Sequence, residues 1–275
     1  PEPNFCHVCG HDNKSKKIII QKGARLVEEK RKGYGSAYLK GFSEARGKYI
    51  IMGDSDDTYD FLDLGRFVSS LREGSDFVIG SRLKGSISKG AGSMPWLHRY
   101  IGNPVLTFIL KNLFDINVSD AHCGMRSFTK EAYEKLNLQT LGMEFASEMI
   151  INAKRASLKI KEIPIAYSLR RGESKLRTFK DGWRHLRFML LYSPNFLFLF
   201  PGILFILIGF FLIFLLLGGP VEIGGRYFDF HFMFIGSLLS IIGYQIINLG
   251  LFTKIYAFSE KFEKEVNNKF IKFLI

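Results

Sequence analysis

The chain has 275 residues, a formal charge of +12 and 47% hydrophobic residues, with 27 Phe among them. That length holds one sizeable domain plus something smaller, and a chain both this basic and this apolar points to a membrane surface before nucleic acid. Three cysteines make no disulfide framework and fit a reducing, cytoplasmic setting. The apolar excess lies after Asn195 and the basic residues mostly before it, so the two parts are read separately.

Residues 1–15 form no clear element. Pro1 carries no start signal and the chain stops abruptly on Phe273-Leu274-Ile275, so both ends read as truncated. Cys6-His7-Val8-Cys9 offers half the ligand set of a structural zinc site, which needs four ligands, usually as two such pairs. No second pair follows and Cys123 stands alone, so a terminal remnant without metal is preferred.

The pattern then predicts a helix over Ser15–Lys22 ended by Gly23, and a strand over Ala24–Glu28. Lys30-Arg31-Lys32-Gly33-Tyr34-Gly35 is a basic turn opening a helix over Ser36–Ala45. Lysines beside a Gly-x-Gly turn at a helix start make a phosphate neighbour, because free N–H groups and the helix dipole favour anions. Glycine turns open many helices, so this decides little alone.

Ile50-Ile51-Met52 reads as a buried strand that breaks at Gly53 into Asp54-Ser55-Asp56-Asp57. Asp54 and Asp56 can both turn toward one point beyond the strand end, where open parallel sheets bind ligands. Two hard oxygen ligands there suit Mg²⁺ or Mn²⁺, with substrate phosphates completing the shell. Aspartates are also ordinary turn residues, so the neighbours must decide. Leu62–Arg72 reads as a helix and Phe77–Arg82 as a strand closing on an arginine. Alternating strands and helices of this size mean an α/β domain with a largely parallel sheet. The acidic pair and Arg82 thus fall at two strand ends.

Lys84–Met94, rich in Gly, Ser and Lys, is predicted to be a mobile loop. Trp96–Phe114 reads as a helix, apolar along one side and broken at Pro104. Asp120–Phe128 is a turn ending on a second arginine, Arg126. His122 and Cys123 as a nucleophile pair are not favoured, since no orienting group accompanies them. Helices follow over Lys130–Leu136 and Glu144–Ala156, with Glu148 one turn along from Glu144. Ile160–Tyr167 is a strand whose Pro164 implies a sheet edge. The basic run Arg170–Arg177 leads into Trp183–Tyr192, which mixes cations with aromatic and apolar residues as interfacial helices do.

Phe196–Leu217 is 22 residues without a charged side chain, and Phe230–Phe252 is 23. Each exceeds the roughly 20 needed to cross a bilayer. The connector Gly218–Asp229 holds one cation, whereas both outer flanks are rich in Lys and Arg. The flanks are therefore expected in the cytoplasm, with the two spans as a hairpin. Residues 253–275 read as a charged, amphipathic cytoplasmic tail.

Taken together, Lys32-Gly33-Tyr34-Gly35, Gly41-Phe42, Ala45-Arg46-Gly47 and Asp54-Ser55-Asp56 resemble family-2 glycosyltransferases of the GT-A fold. Asp120 with Gly124-Met125-Arg126-Ser127-Phe128, and Gly172-Glu173-Ser174-Lys175-Leu176, narrow the resemblance to polyprenyl-phosphate glycosyltransferases. These are the dolichol-phosphate mannose and glucose synthase type. The resemblance covers a domain over residues 16–193, including a basic interfacial helix at 178–193. Spans at 196–217 and 230–252 follow it.

It implies that Asp54 and Asp56 hold the Mg²⁺ or Mn²⁺ that bridges the donor diphosphate, with Lys32, Gly33 and Gly35 bordering the nucleotide. It implies that Arg82 and Arg126 bind the acceptor phosphate or donor diphosphate, and that Ser174, Lys175 and Arg177 sit on a loop closing the site. The implied activity is inverting transfer of a sugar from a nucleotide-diphospho-sugar to a polyprenyl phosphate, dolichyl or undecaprenyl. It would take place on the cytoplasmic face of a prokaryotic plasma membrane. The family's opening strand, with its Pro-x-x-Asn-Glu-type turn, does not appear here. A processive polysaccharide synthase is the alternative enzyme, but its Gln-x-x-Arg-Trp motif is absent. A decayed transferase serving as membrane anchor or scaffold is the non-enzymatic alternative.

Overall fold

Short apolar runs, each stopped by glycine or charge, build the central sheet. The computed structural model describes residues 6–9, 13–88, 96–169, 178–193, 195–223 and 225–259. Ser174, Lys175, Arg177 and the tail Glu260–Lys272 lie outside these residues, and so do the side chains on which a zinc site at Cys6 and Cys9 would rest. The chain divides into two units, Pro1–Met189 and Leu190–Ile275.

In the first unit, β1 (Cys6–Cys9) and β2 (Arg25–Glu28) form a parallel pair, with α1 (Asn13–Gln21) between them in sequence. After α2 (Tyr34–Glu44) come β3 (Tyr49–Met52), a 3-10 turn (Phe61–Asp63), α3 (Leu64–Arg72) and β4 (Phe77–Ile87). A π-turn (His98–Gly102) and α4 (Asn103–Phe114) precede β5 (Arg126–Thr129), α5 (Lys130–Leu136), α6 (Phe145–Arg155) and β6 (Ile160–Tyr167). α7 spans Thr178–Leu191.

The main sheet has the order β3-β5-β4-β6. β3, β4 and β6 run the same way, while β5 is antiparallel to both of its neighbours. Pro164 lies in β6, at the edge, where its missing N–H breaks no ladder on the outer side. The expected break in the 96–114 helix falls between the π-turn and α4, with Pro104 in the first α-turn.

The expected loop from Lys84 needs correction, because β4 continues to Ile87. After an irregularity beyond Ser81, it pairs again with β6 at Ser86–Ala166 and Ile87–Tyr167. Gly85 lets this happen, since a Cβ there would collide with the Ile165 carbonyl. Glycine, read as loop chemistry, here serves close strand approach.

Aromatic rings join the helices to the sheet. Phe77 and Phe128 stack 6.0 Å apart across β4 and β5, both 0% exposed. Phe42 of α2 meets Phe128 edge-on at 5.1 Å. Such side chains dominate the area removed from water in a core of this size.

The second unit holds a π-turn (Asn195–Leu199), α8 (Phe200–Leu216), a small hairpin of β7 (Val221–Ile223) and β8 (Arg226–Phe228), and α9 (Phe230–Ser259). Two segments, Phe196–Leu216 and Phe230–Ile255, are long and apolar enough to cross a membrane. The helices touch through glycine. A Cβ on Gly243 would stand 2.6 Å from the Gly202 carbonyl, and one on Gly236 would stand 2.8 Å from that of Gly209. Each contact is reciprocal and the paired numbers run in opposite directions, so α8 and α9 pack antiparallel.

Candidate functional site

The reversal of β5 gathers the polar residues at one end of the main sheet. Arg126, the first residue of β5, lies opposite Met52 of β3 and Ile79 of β4. Asp54 follows two residues beyond Met52, and Arg82 three beyond Ile79. Both therefore sit just past one register line. Asp54 lies beyond the carboxyl end of β3, where α/β sheets place their ligands, and Arg82 lies inside β4 at its irregularity, not at the strand end expected from the sequence.

Asp54 is half-buried and braced. The Tyr38 hydroxyl, on α2, donates to its Oδ1 at 3.0 Å. Burial raises the Tyr34 and Tyr38 hydroxyls well above the ordinary range, and the Asp54 charge adds to this, so both stay protonated. On the other side Gly124 lies so close that a Cβ would stand 2.6 Å from Asp54 Oδ2. The Gly124 N–H donates to the Tyr59 hydroxyl at 2.9 Å, which fixes that approach. Asp56 is held differently, by its own turn. Its Oδ1 accepts from the Thr58 N–H at 3.2 Å and the Thr58 hydroxyl at 2.5 Å, while Asp57 takes a left-handed φ of 65°.

Lys32 and Gly33 are exposed, and the glycines of this turn have a packing role. Gly33 has φ 152° and its Cα faces the Leu141 carbonyl; Gly35 similarly faces that of Thr140. The 139–141 loop is in turn anchored by Glu148, which is 0% exposed. Its carboxylate accepts from the Gln139 N–H at 2.9 Å, the Thr140 N–H at 3.0 Å and the Thr140 hydroxyl at 2.6 Å.

The two arginines have different surroundings. Arg82 makes a two-pronged ion pair with Asp120, Nε to Oδ2 at 2.7 Å and Nη2 to Oδ1 at 2.8 Å. Its backbone N–H also reaches Oδ2, and its guanidinium lies 5.5 Å from the Tyr167 ring centre. Burial opposes its charge, but Asp120, with Tyr59 and Cys123 adding, outweighs that and raises its pKa well above the ordinary value. Arg82, with Leu83, Gly85, Ile87, Arg99, Tyr100 and Pro104, lines a groove of about 290 Å³.

Arg126 is 1% exposed and turned inward. Its three nitrogens donate to the carbonyls of Cys123, Ala146 and Ala121, each at 2.8 Å. Burial lowers its pKa. It ties the Asp120–Met125 turn to α6, so its side chain reaches protein carbonyls rather than the groove.

Cys123 is a buried thiol pushed up to about 12 by burial, which leaves no thiolate near neutral pH. Its neighbour His122 turns to α6 instead, with Nε2 3.1 Å from the Ser147 hydroxyl, itself 2.8 Å from His185 Nδ1 on α7. Burial, then His185, pushes the His122 pKa well below its usual value.

Sequence reasoning assigned no role to Tyr38, Arg99 or Asp120. The available signals were Tyr38 one helical turn after Tyr34, and Asp120 at the head of a motif already marked. Arg99, inside an apolar helix, gave none.

The sequence profile of glycosyl transferase family 2 matches residues 13–137. The chain is 45% identical over 244 residues to the low-salt glycan biosynthesis hexosyltransferase Agl6 of Haloferax volcanii, covering 88% of this chain and 58% of that relative. It is 32% identical over 175 residues to a dolichyl-phosphate hexose transferase of the same organism, covering 64% of this chain and 74% of the other. Among solved structures, it resembles glucosyl-3-phosphoglycerate synthase from Mycobacterium tuberculosis. With Mn²⁺, uridine diphosphate and glucosyl-3-phosphoglycerate bound, that structure matches with a TM-score of 0.50 and 18% identity, over 67% of this chain and 66% of that one. The complex with phosphoglyceric acid gives a TM-score of 0.52 at 17% identity, over 68% of each chain. A GT-A-like α/β domain, two apolar helices after it and these relatives lead to one assignment: the chain belongs to glycosyltransferase family 2.

Proposed function

We propose that the chain transfers a hexose from a nucleoside-diphosphate sugar to a polyprenyl phosphate, with inversion, at the cytoplasmic face of a membrane. One observation carries this reading. The Asp54–Asp56 turn and the Arg82–Arg99 groove lie past the same register line of the sheet, in a chain with two helices fit to cross a bilayer. The likeness to relatives named for dolichyl-phosphate transfer supports the acceptor class.

Asp54 and Asp56 fit a hard divalent cation, Mg²⁺ or Mn²⁺. Both are carboxylates, and Gly124 leaves room at Asp54 that any side chain would fill. Among the described residues, no three His, Cys, Asp or Glu side chains cluster as a metal cage. When bound, the cation would offset the charge that builds on the departing nucleoside diphosphate.

The remaining work falls to the chain's own side chains. Tyr38 and Gly124 keep the Asp54 carboxylate in one place. Arg82, fixed and half-neutralised by Asp120, presents a rigid guanidinium edge, and Arg99 adds a second cation to the groove for the acceptor phosphate. That phosphate is already anionic, so its attack on the anomeric carbon needs no strong base. Arg126 acts as a positioning residue for the Asp120–Met125 turn. Ser174, Lys175 and Arg177 are proposed to close over the donor, and Lys32, Gly33 and Gly35 to border its nucleotide. Lys- and Arg-rich flanks of the two spans support a cytoplasmic position for the catalytic unit.

The test is incubation of membranes holding the protein with polyprenyl phosphate and a panel of labelled nucleotide sugars. Sugar appearing in the lipid phase names donor and reaction together. Asp56→Ala should abolish that transfer, and wild-type rates in this variant would sink the metal assignment.

A further inference from the structure

Arg82 stands where β4 leaves its partner. The ladder runs from Phe77–Ile160 to Ser81–Pro164 and resumes at Ser86–Ala166, so five steps along β4 match two along β6. Arg82 is the first residue of that excursion, where the ladder to β6 has stopped. What holds it instead is Asp120, which accepts from its backbone N–H, Nε and Nη2.

Asp120 lies in a turn, and one side chain of β6 fixes that turn. Glu162, its side chain 7% exposed, accepts on Oε1 from the Ser119 N–H at 2.8 Å, the Ser119 hydroxyl at 2.7 Å and the Asp120 N–H at 3.1 Å. Its Oε2 faces the ammonium of Lys84, on the excursion itself, at 2.5 Å. Burial opposes the charge on Glu162, but Lys84 and the Ser119 and Asp120 donors outweigh it and hold the carboxyl below its usual range. An ionised carboxylate only accepts, so the Ser119 hydroxyl must donate to it. The Ser81 hydroxyl, 2.7 Å from that of Ser119, then has to donate in its turn, and its oxygen accepts from the Lys84 N–H at 3.1 Å. The hydrogen bonds thus run one way, from the Lys84 N–H through Ser81 and Ser119 to Glu162. They tie the excursion and the Asp120 turn to β6 where the ladder is missing.

We infer that Glu162 is a positioning residue, acting through Ser119 and Asp120 to set the Arg82 guanidinium for an incoming phosphate. The inference rests on the reading of the Arg82–Arg99 groove as the acceptor-phosphate site. Glu162 itself does not line that groove. A guanidinium fork meets a phosphate well in few orientations, so a small shift of Asp120 spoils the fit without removing a cation.

The test uses the full-length protein in detergent. Calorimetric titration with farnesyl phosphate, which needs no turnover, compares wild type, Arg82→Ala and Glu162→Gln. The Gln amide keeps the shape but has one accepting oxygen and no charge for Lys84. Glu162→Gln should weaken farnesyl phosphate binding by about tenfold. In transfer assays it should raise the KM for polyprenyl phosphate by a similar factor, with the KM for the nucleotide sugar unchanged. A merely structural role would lower the melting temperature and the active fraction, hence kcat, and leave both KM values unmoved. That result overturns the inference, as does wild-type affinity for farnesyl phosphate in the variant. Equal affinity in wild type and Arg82→Ala is a different failure, which breaks the reading of the groove and takes this inference with it. Should Glu162→Gln not fold, Lys84→Met removes only the ion pair and should weaken the same binding by about threefold. Unchanged affinity there also overturns the assignment.

Discussion

The interiors of the two units are assembled by opposite means. In the catalytic unit, charged and polar groups are buried and paired. Arg82 meets Asp120, Arg126 meets three carbonyls, and Glu148 meets two N–H groups and a hydroxyl. In the hairpin, α8 and α9 meet through backbone at Gly202–Gly243 and Gly209–Gly236. The first arrangement fixes loops, because each polar group is costly unless its partner stands in one place. The second has no such directional demand and depends on volume alone. A site that must hold carboxylates in register needs the first kind of interior; an anchor needs only the second.

The sharpest way to break this contrast is to leave a buried charge alone. Asp120→Ala strands the Arg82 guanidinium and should cost about 3–5 kcal/mol, read as a large fall in the denaturation midpoint of the solubilised protein. A negligible change would mean that the ion pair does not organise the loop. Next comes volume in the hairpin. Gly209→Val places carbon where the Gly236 carbonyl and Ser240 now sit, and should cost about 1–3 kcal/mol in mixed-micelle unfolding, with the catalytic unit's own transition unmoved. A shift of both transitions would erase the distinction between the units.

Smaller still is Tyr38→Phe, which removes the hydroxyl holding Asp54 Oδ1. Loss of a group that orients a metal ligand typically weakens metal affinity by 10–100-fold. We expect about tenfold weaker Mn²⁺ binding by paramagnetic resonance titration, with the fold retained. The smallest effect is a pH dependence. His122 has a folded pKa well below its unfolded value of about 6.5, so the unfolded chain takes up a proton that the fold resists. Its contribution to stability is therefore complete above the unfolded pKa and declines as pH falls from there toward the folded pKa. Between pH 7 and pH 6 the stability should fall by no more than about 1 kcal/mol. His122→Gln should flatten that slope in pH-dependent melts.

Much of the sheet was legible because its strands are short apolar runs closed by glycine or charge. Ile50–Met52 and Phe77–Arg82 lie within β3 and β4, and Ile160–Tyr167 coincides with β6. The edge position followed from Pro164 alone. What stayed hidden depends on residues distant in sequence. No local pattern says that β5 slips antiparallel between β3 and β4, or that Gly85 exists for Ile165. Likewise, an arginine on a strand looks equally able to bind an anion or to cap carbonyls. The structure separates Arg82, on a groove, from Arg126, in the interior, by partners 3 to 38 residues away. Asp54 was visible as a carboxylate at a strand end, but its brace by Tyr38 and Gly124 was not.

The glycine contacts of the hairpin recur every seven residues, at 202 and 209 on one helix and at 236 and 243 on the other. Two turns of helix rise about 10.5 Å over that interval, so a smaller axial slip would drive side-chain carbons onto the facing carbonyls. The spans therefore cannot slide past one another like pistons. If α8 and α9 cross a bilayer as proposed above, their response to its thickness is a tilt of the pair as one rod, carrying β7 and β8 with it at its far end.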